Sequence, residues 1–210
     1  MVKFVVVRHG ESLYNIEKRY AGQYDTPLSP LGRKQAECTA SFILANYKID
    51  KVVASDLSRA YDTVKPVADA LGLNVEACSE LREVDVGSWV HVLYSEIWNA
   101  DPEGRAKHLS MPAGEKIFGG AECYADVKSR VVGKLRAVAE ENDGKTILVG
   151  AHAGAVRVFL TECMGLDIND IDKVPKITNA SVSVVTYENG VFTLKEADCK
   201  EHLILAGLAE

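Results

Sequence analysis

Four side chains suited to handling an anion stand where the chain leaves short apolar runs. Arg8 and His9 follow Val5-Val6-Val7, Arg59 follows Val52-Val53-Ala54 within a few residues, and His152 follows Ile147-Leu148-Val149-Gly150 closely. A guanidinium grips phosphoryl oxygens as a rigid fork, and an imidazole titrates close enough to neutrality to act as nucleophile or proton carrier. Phosphate binding and phosphoryl transfer are the chemistry such a set could perform. Gly10 and Ala153, each next to a histidine, would add backbone N–H groups near helix starts. Singly, each residue has a plainer reading: a histidine at a strand end as a hydrogen-bonded cap, Arg59 as a solvated helix charge. Convergence from separate segments is what favours a site.

That convergence requires an α/β layering. Val- and Ile-rich runs alternate with segments of helical period, which predicts a three-layer sandwich with a mostly parallel central sheet flanked by helices. The strands are expected at Lys3–Val7, Lys51–Ala54, Asn74–Ala77, Thr146–Gly150, Ser181–Tyr187 and Val191–Lys195. Asn189-Gly190 between the last two signals a hairpin, hence an antiparallel pair at the C-terminal end of the sheet. In such sheets ligands bind outside the carboxyl ends of the strands, where the four side chains fall.

Ser29-Pro30 opens a predicted helix running to about Ala45, as an N-cap followed by Pro at the first helical position. A second runs from Leu57 to Leu71 and closes at Gly72, with Pro66 expected to kink or split it. Val127, Val131, Leu135 and Val138 mark a helix from about Glu122 to Glu141, and Val156, Phe159, Leu160 and Cys163 a shorter one. From Ser88 to Gly120 the rhythm breaks around Trp89, Trp98, Pro102 and Pro112. We read 88–121 as a partly helical, lid-like excursion over one sheet edge within a single domain spanning 1–210.

The 210 residues carry 24 Lys and Arg against 30 Asp and Glu, a net charge of −6 that argues against a general nucleic-acid binder and makes any anion site local. The apolar N-terminal run is too short for the core of a signal peptide, and no stretch reaches the length of a membrane span. Five scattered cysteines without C-x-x-C spacing fit a reducing, cytoplasmic setting and no zinc cage.

Taken together, four ordered blocks resemble the histidine phosphatase superfamily, also called phosphoglycerate-mutase-like. They are Arg8-His9-Gly10-Glu11-Ser12-x-x-Asn15, Ser55-x-Leu57-x-Arg59-Ala60-x-x-Thr63, Leu81-x-Glu83-x-x-x-Gly87-x-Trp89 and His152-Ala153-Gly154-x-Val156-Arg157. Pro27-Leu28-Ser29-x-x-Gly32-x-x-Gln35-Ala36 and Gly119-Gly120 fit as well. The resemblance implies a phosphohistidine mechanism with His9 as nucleophile, Arg8, Arg59, His152 and Asn15 as the phosphoryl clamp, and Glu83 as acid and base. His9 would need a backbone carbonyl on its other ring nitrogen. Departures from the pattern are Val90-His91 after Trp89, Ala153, Asp62 and Ala21, and they bear on the wall of the substrate pocket.

The implied activity is a metal-independent phosphomonoesterase acting on a small or medium-sized phosphate ester, as a monomer or homodimer, with no nucleic-acid or membrane partner. The chain has no H-E-x-x-H, no Asp cluster at a strand end and no Walker-type loop, so no metal or other cofactor is expected and positive charge must come from side chains. A cofactor-dependent phosphoglycerate mutase is the enzymatic alternative, disfavoured by the absence of the family's mutase insertion between Glu83 and His152 and of a basic C-terminal stretch. A phosphate-binding regulatory module without catalysis is the alternative of another class; it would not need His9 or Glu83.

Overall fold

The computed structural model describes residues 1–100, 106 and 108–209. Six strands form one sheet: β1 (Val2–Arg8), β2 (Lys51–Ser55), β3 (Val75–Cys78), β4 (Thr146–Ala151), β5 (Val182–Glu188) and β6 (Val191–Cys199). Their order is β3-β2-β4-β1-β5-β6. The predicted strands match these within a few residues. Pairing is parallel from β3 through β1, whereas β5 runs antiparallel to both β1 and β6. The hairpin was legible in Asn189 and Gly190, whose φ values of 51° and 83° suit a type I′ turn. The antiparallel β1–β5 pair had no local signal, because β5 reaches β1 only after the whole chain has passed.

Strand β1 shows why its apolar run is unbroken. Phe4 and Val6 face one cluster, which holds Val131, Leu135 and Phe159, while Val5 and Val7 face another, which holds Ile43, Val64 and Val67. A strand covered by helices on both sides has no solvent face to make polar. The first layer is α5 (Tyr124–Glu140) with α6 (Ala153–Cys163), and the second is α2 (Pro30–Asn46) with α3 (Ser58–Leu71). Shorter helices are α1 (Leu13–Glu17), α4 (Tyr94–Ala100) and α7 (Glu201–Leu205). Ser29 caps α2 by accepting the Gly32 N–H at 2.9 Å, as its position before Pro30 predicted.

Pro66 neither ends nor splits α3, which continues to Leu71 and closes on Gly72 in the left-handed conformation. The proline forfeits one backbone bond on a half-exposed stretch, while Thr63, Val64, Val67 and Ala68 remain buried around it. Packing of that face outweighs the local penalty. In the expected excursion over 88–121 the described parts include Gly87–Trp89, α4 and Ala113–Glu115, all helical turns. Positions 101–105 and 107, with the predicted break at Pro102, lie outside the described residues.

The turn after β1 and the start of α2 meet backbone to backbone. A Cβ on Gly10 would stand 2.6 Å from the Gly32 carbonyl oxygen, and one on Gly32 would stand 2.0 Å from that of Glu11. Ser29 N–H donates to the Glu11 carbonyl at 2.8 Å, Ser29 Oγ to the Glu11 carboxylate at 2.5 Å, and Glu11 N–H to Gln35 Oε1 at 2.8 Å. Gly32→Ala should therefore lose stability although alanine is the better helix former: overpacking typically costs about 1–3 kcal/mol beyond the propensity gain. A fall of about 2–12 °C in Tm is expected by calorimetry, at about 2–4 °C per kcal/mol for a chain of this size. An unchanged Tm would mean that this contact does not constrain the loop.

Candidate active site

His9 continues the pairing of β1 for one residue, its N–H donating to the Ala151 carbonyl at 2.9 Å. Its own carbonyl accepts from Asn179 Nδ2 at 3.0 Å and from the Ala180 N–H at 3.2 Å. The ring is buried, and Nδ1 lies 2.7 Å from the Gly10 carbonyl oxygen. A carbonyl can only accept, so Nδ1 carries the proton and Nε2 presents its lone pair. Burial, followed by the positive charges of Arg59 and Arg8, holds the His9 pKa well below its ordinary value. The imidazole is thus held neutral with Nε2 unprotonated, the state in which an imidazole can act as a nucleophile.

Arg59, the first turn of α3, is 1 % exposed. Its guanidinium donates to the carbonyls of Tyr24 at 2.9 Å and Gly22 at 2.8 Å, and it makes no ion pair among the described residues. Burial lowers its pKa to about 10, opposed by the charges of Glu83 and Asp25, so it stays cationic at neutral pH. Arg8, the last residue of β1, donates from NH1 to the Ile177 carbonyl at 2.6 Å. Asn15 is oriented through its amide oxygen, which accepts from Ser12 N–H at 3.0 Å and Asn179 Nδ2 at 3.2 Å. With the oxygen engaged, the NH₂ end of Asn15 is what remains to donate into the site.

Glu83 reaches the N-terminus of α6. Its carboxylate accepts from the N–H groups of Val84 at 2.9 Å, Gly154 at 3.2 Å and Ala155 at 3.3 Å. A Cβ on residue 154 would fall 2.4 Å from Glu83 Oε1, which explains the glycine there. The neighbouring Arg82 does not pair with Glu83 but with Asp56, through two bonds of 2.7 and 2.5 Å. Arg130 of α5 fixes the backbone on either side of Glu83, donating to the carbonyls of Arg82 at 2.7 Å and Glu83 at 2.8 Å while Glu122 holds its other edge. Sequence reasoning missed Arg130, because one arginine on a long amphipathic helix reads as solvated charge.

His152, the N-cap of α6, is 0 % exposed, and its ring centroid is 5.2 Å from that of His9. Nε2 pairs with Ser55 Oγ at 2.8 Å, which gives the serine of the second motif block its role, while Nδ1 has no hydrogen-bond partner among the described residues. Burial and then Arg59 and His9 hold its pKa well below the ordinary value. In the free protein it is therefore a neutral member of the set, and the fixed positive charge comes from the two arginines.

One expected donor is placed differently. The Gly10 N–H, assigned to phosphate, donates instead to Thr63 Oγ1 at 3.0 Å, and that hydroxyl donates onward to the Arg59 carbonyl at 2.7 Å. Gly10 is needed for close approach to Gly32, and its N–H ties the nucleophile turn to α3. Ala153 does line the cavity, together with Arg8, His9, Asn15, Arg59 and Glu83. This cavity measures about 300 Å³ and is walled further out by Tyr20, Tyr94, Phe118, Tyr124, Val84 and Val86, none of which was singled out from the sequence. Arg19 of this lining reaches His91, whose φ of 71° is unusual for a residue other than glycine. Tyr14 Oη at 2.5 Å from Nδ1 and Arg19 NH1 at 2.5 Å from the carbonyl hold it there.

Among the described residues no group of three His, Cys, Asp or Glu side chains is arranged to hold a metal, and no helix is long and apolar enough to cross a membrane. Residues 4–200 match the profile of the histidine phosphatase superfamily, branch 1. The chain is 33% identical to phosphoserine phosphatase 1 of Hydrogenobacter thermophilus over 189 residues, 90% of this chain and 88% of that protein. It is 32% identical to phosphoglycerate mutase-like protein 4 of Arabidopsis thaliana, covering 90% and 80% of the two chains. It superposes on a mycobacterial glucosyl-3-phosphoglycerate phosphatase with a TM-score of 0.83 at 27% identity, covering 94% and 98%.

The depressed histidines set a pH dependence of stability. His9 and His152 bind a proton more readily unfolded than folded, so unfolding takes up protons as pH falls below the ordinary value of 6.5. Their contribution is fully present above that value and is lost toward their folded pKa, at up to about 1.4 kcal/mol per pH unit for each. Urea unfolding between about pH 7.5 and 5 should show His9→Gln losing stability less steeply than the unsubstituted protein, by nearly one proton's worth of slope. Parallel curves would show that His9 is not held neutral by the fold.

Proposed function

The chain belongs to the histidine phosphatase superfamily, branch 1, and from that premise we propose that it is a metal-independent phosphomonoesterase working through a phosphohistidine. The observation that carries the reading is the neutral His9, with its proton committed to the Gly10 carbonyl, beside a buried arginine that only carbonyls hold. An ester phosphate supplies a negative charge that Arg59 has no ion pair for among the described residues, and its binding at Arg59 and Arg8 places phosphorus in front of Nε2. Nε2 attacks in line, and the P–O bond to the leaving group breaks. Glu83, entering as the carboxylic acid, gives its proton to the departing oxygen. The resulting carboxylate then removes a proton from water as that water attacks phosphorus, the N–P bond breaks, and inorganic phosphate leaves with His9 and Glu83 restored. Asn15 and His152 donate to the equatorial oxygens, where transition-state charge gathers.

Hydrolysis is favoured over a mutase reaction by the outer wall. A mutase must hold a bisphosphate while it turns over, which calls for cations to neutralise a second phosphoryl group. Here the residues beyond Arg8 and Arg59 are mostly aromatic or aliphatic, and the rim cation Arg19 is paired with Glu17 at 3.0 Å. Relatives that bear phosphatase names add support.

His9→Ala should abolish turnover of p-nitrophenyl phosphate, measured in EDTA, while the unsubstituted protein quenched in denaturant at alkaline pH carries an acid-labile phosphate on His9. Label on Ser12, or activity that depends on an added divalent cation, would overturn the mechanism. Phosphate binding without turnover would favour the regulatory-module reading. For Glu83→Gln, single-turnover release of the leaving group should slow by about 10²–10⁴-fold for alkyl phosphates and far less for p-nitrophenyl phosphate, whose leaving group needs no proton. Equal losses for both would remove Glu83 from the acid role.

A further inference from the structure

The walls of the cavity beyond the phosphoryl end are a connected set of rings. Tyr94 stands edge-on to Tyr20 with centroids 4.6 Å apart, and Tyr20 is 5.6 Å from Trp89. Trp89 meets Phe118 at 5.9 Å and 89°, and Phe118 meets Tyr124 at 4.9 Å. Trp89 is the backing member, half-buried against the core, and Tyr20, Tyr94, Phe118 and Tyr124 face the cavity. These rings come from distant stretches: the loop after α1, the start of α4, the segment before α5 and its first residue. Each holds its neighbour at edge-to-face distance, a geometry that fixes ring faces and edges before any ligand arrives.

The charges on the same wall are equally informative. Arg8 and Arg59 lie at the phosphoryl end, so they are engaged by the group that reacts. Among the described residues Arg19 is the further cation lining the cavity, and it is held by Glu17 and by the His91 carbonyl. A leaving group with its own carboxylate would enter an aromatic wall with no unengaged cation among the described residues to receive it. Burying such a charge unpaired is costly, whereas burying a ring face against rings is favourable.

We propose that this site selects phosphate esters whose leaving group is an uncharged, ring-bearing alcohol, and discriminates against short esters that carry a carboxylate. The proposal rests on the phosphomonoesterase reading for its chemistry, while the aromatic wall alone sets the preference. It distinguishes this chain from what the names of its phosphoserine- and phosphoglycerate-handling relatives would suggest.

The test compares benzyl phosphate, propyl phosphate and phosphoserine. All three are alkyl esters, so leaving-group acidity does not mask recognition as it would with aryl phosphates. Benzyl phosphate should exceed propyl phosphate by about tenfold or more in kcat/KM, mainly through KM, with phosphoserine no better than propyl phosphate. Phe118→Leu and Tyr20→Leu, which keep apolar bulk and remove a ring, should each bring the benzyl-to-propyl ratio down several-fold. A ratio near one, a ratio unaffected by both substitutions, or a preference for phosphoserine would overturn the proposal. Calorimetric binding of benzylphosphonate against propylphosphonate gives a readout without turnover, and about tenfold tighter binding of the former is expected. If no ester is hydrolysed, the phosphatase reading fails while the phosphonate comparison still decides this one, equal affinities overturning it.

Discussion

The site is organised around a buried positive charge that backbone carbonyls hold in place. Arg59 lies in the interior with two carbonyls on its guanidinium and no carboxylate paired with it among the described residues. An arginine in such surroundings is costly, and the cost is tolerable only where the fold over-determines its position. That determination comes from α3, whose Ala60, Val64 and Val67 pack under the sheet, and from the Gly22–Tyr24 turn that supplies the carbonyls. The same charge then acts on its neighbours. With burial, it keeps His9 and His152 unprotonated, so that in the mechanism we propose one residue both prepares the nucleophile and receives the anion under attack.

Holding the nucleophile against that charge requires bracing from several directions. The His9 carbonyl is fixed by Asn179 and Ala180, which precede β5, the Gly10 N–H by Thr63 of α3, and the Glu11 N–H by Gln35 of α2. Gln35 also donates to the Leu208 carbonyl at 3.0 Å, which ties the segment after α7 into the same brace. The motif residues outside the reacting set, Thr63, Ser29, Gly32, Gln35 and Ser55, are therefore explained by orientation. This is how a site on a turn attains the precision of one built on regular structure.

What could be read from the chain follows from how local each signal is. The strands, the four main helices and the Asn189-Gly190 hairpin carry their causes within a few residues, and the reacting residues sit in contiguous blocks at strand ends. Pro66 does not split its helix, because its penalty is local and the packing that holds the helix together is not. The Gly10 N–H misled because a glycine beside a histidine can serve a ligand or a neighbour, and only the position of Thr63 decides between them. Arg130 and Asn179 were invisible for the same reason: the Glu83 and His9 carbonyls that they fix are 47 and 170 residues away in sequence.

The pocket wall was least legible of all, and its departures from the family pattern make physical sense only in three dimensions. At Val90-His91, one of those departures, His91 takes up a glycine-like φ. Its ring meets Tyr14 and stands 4.6 Å from that of Tyr24, so the backbone cost is offset by aromatic contacts. The reacting end is made from strand termini, which cannot change without moving the sheet. The wall is made from loops, which can. A fold divided in this way can keep one phosphoryl chemistry while its outer rings and rim charges are exchanged. The relatives' different substrate names and this chain's aromatic wall are what such a division would produce.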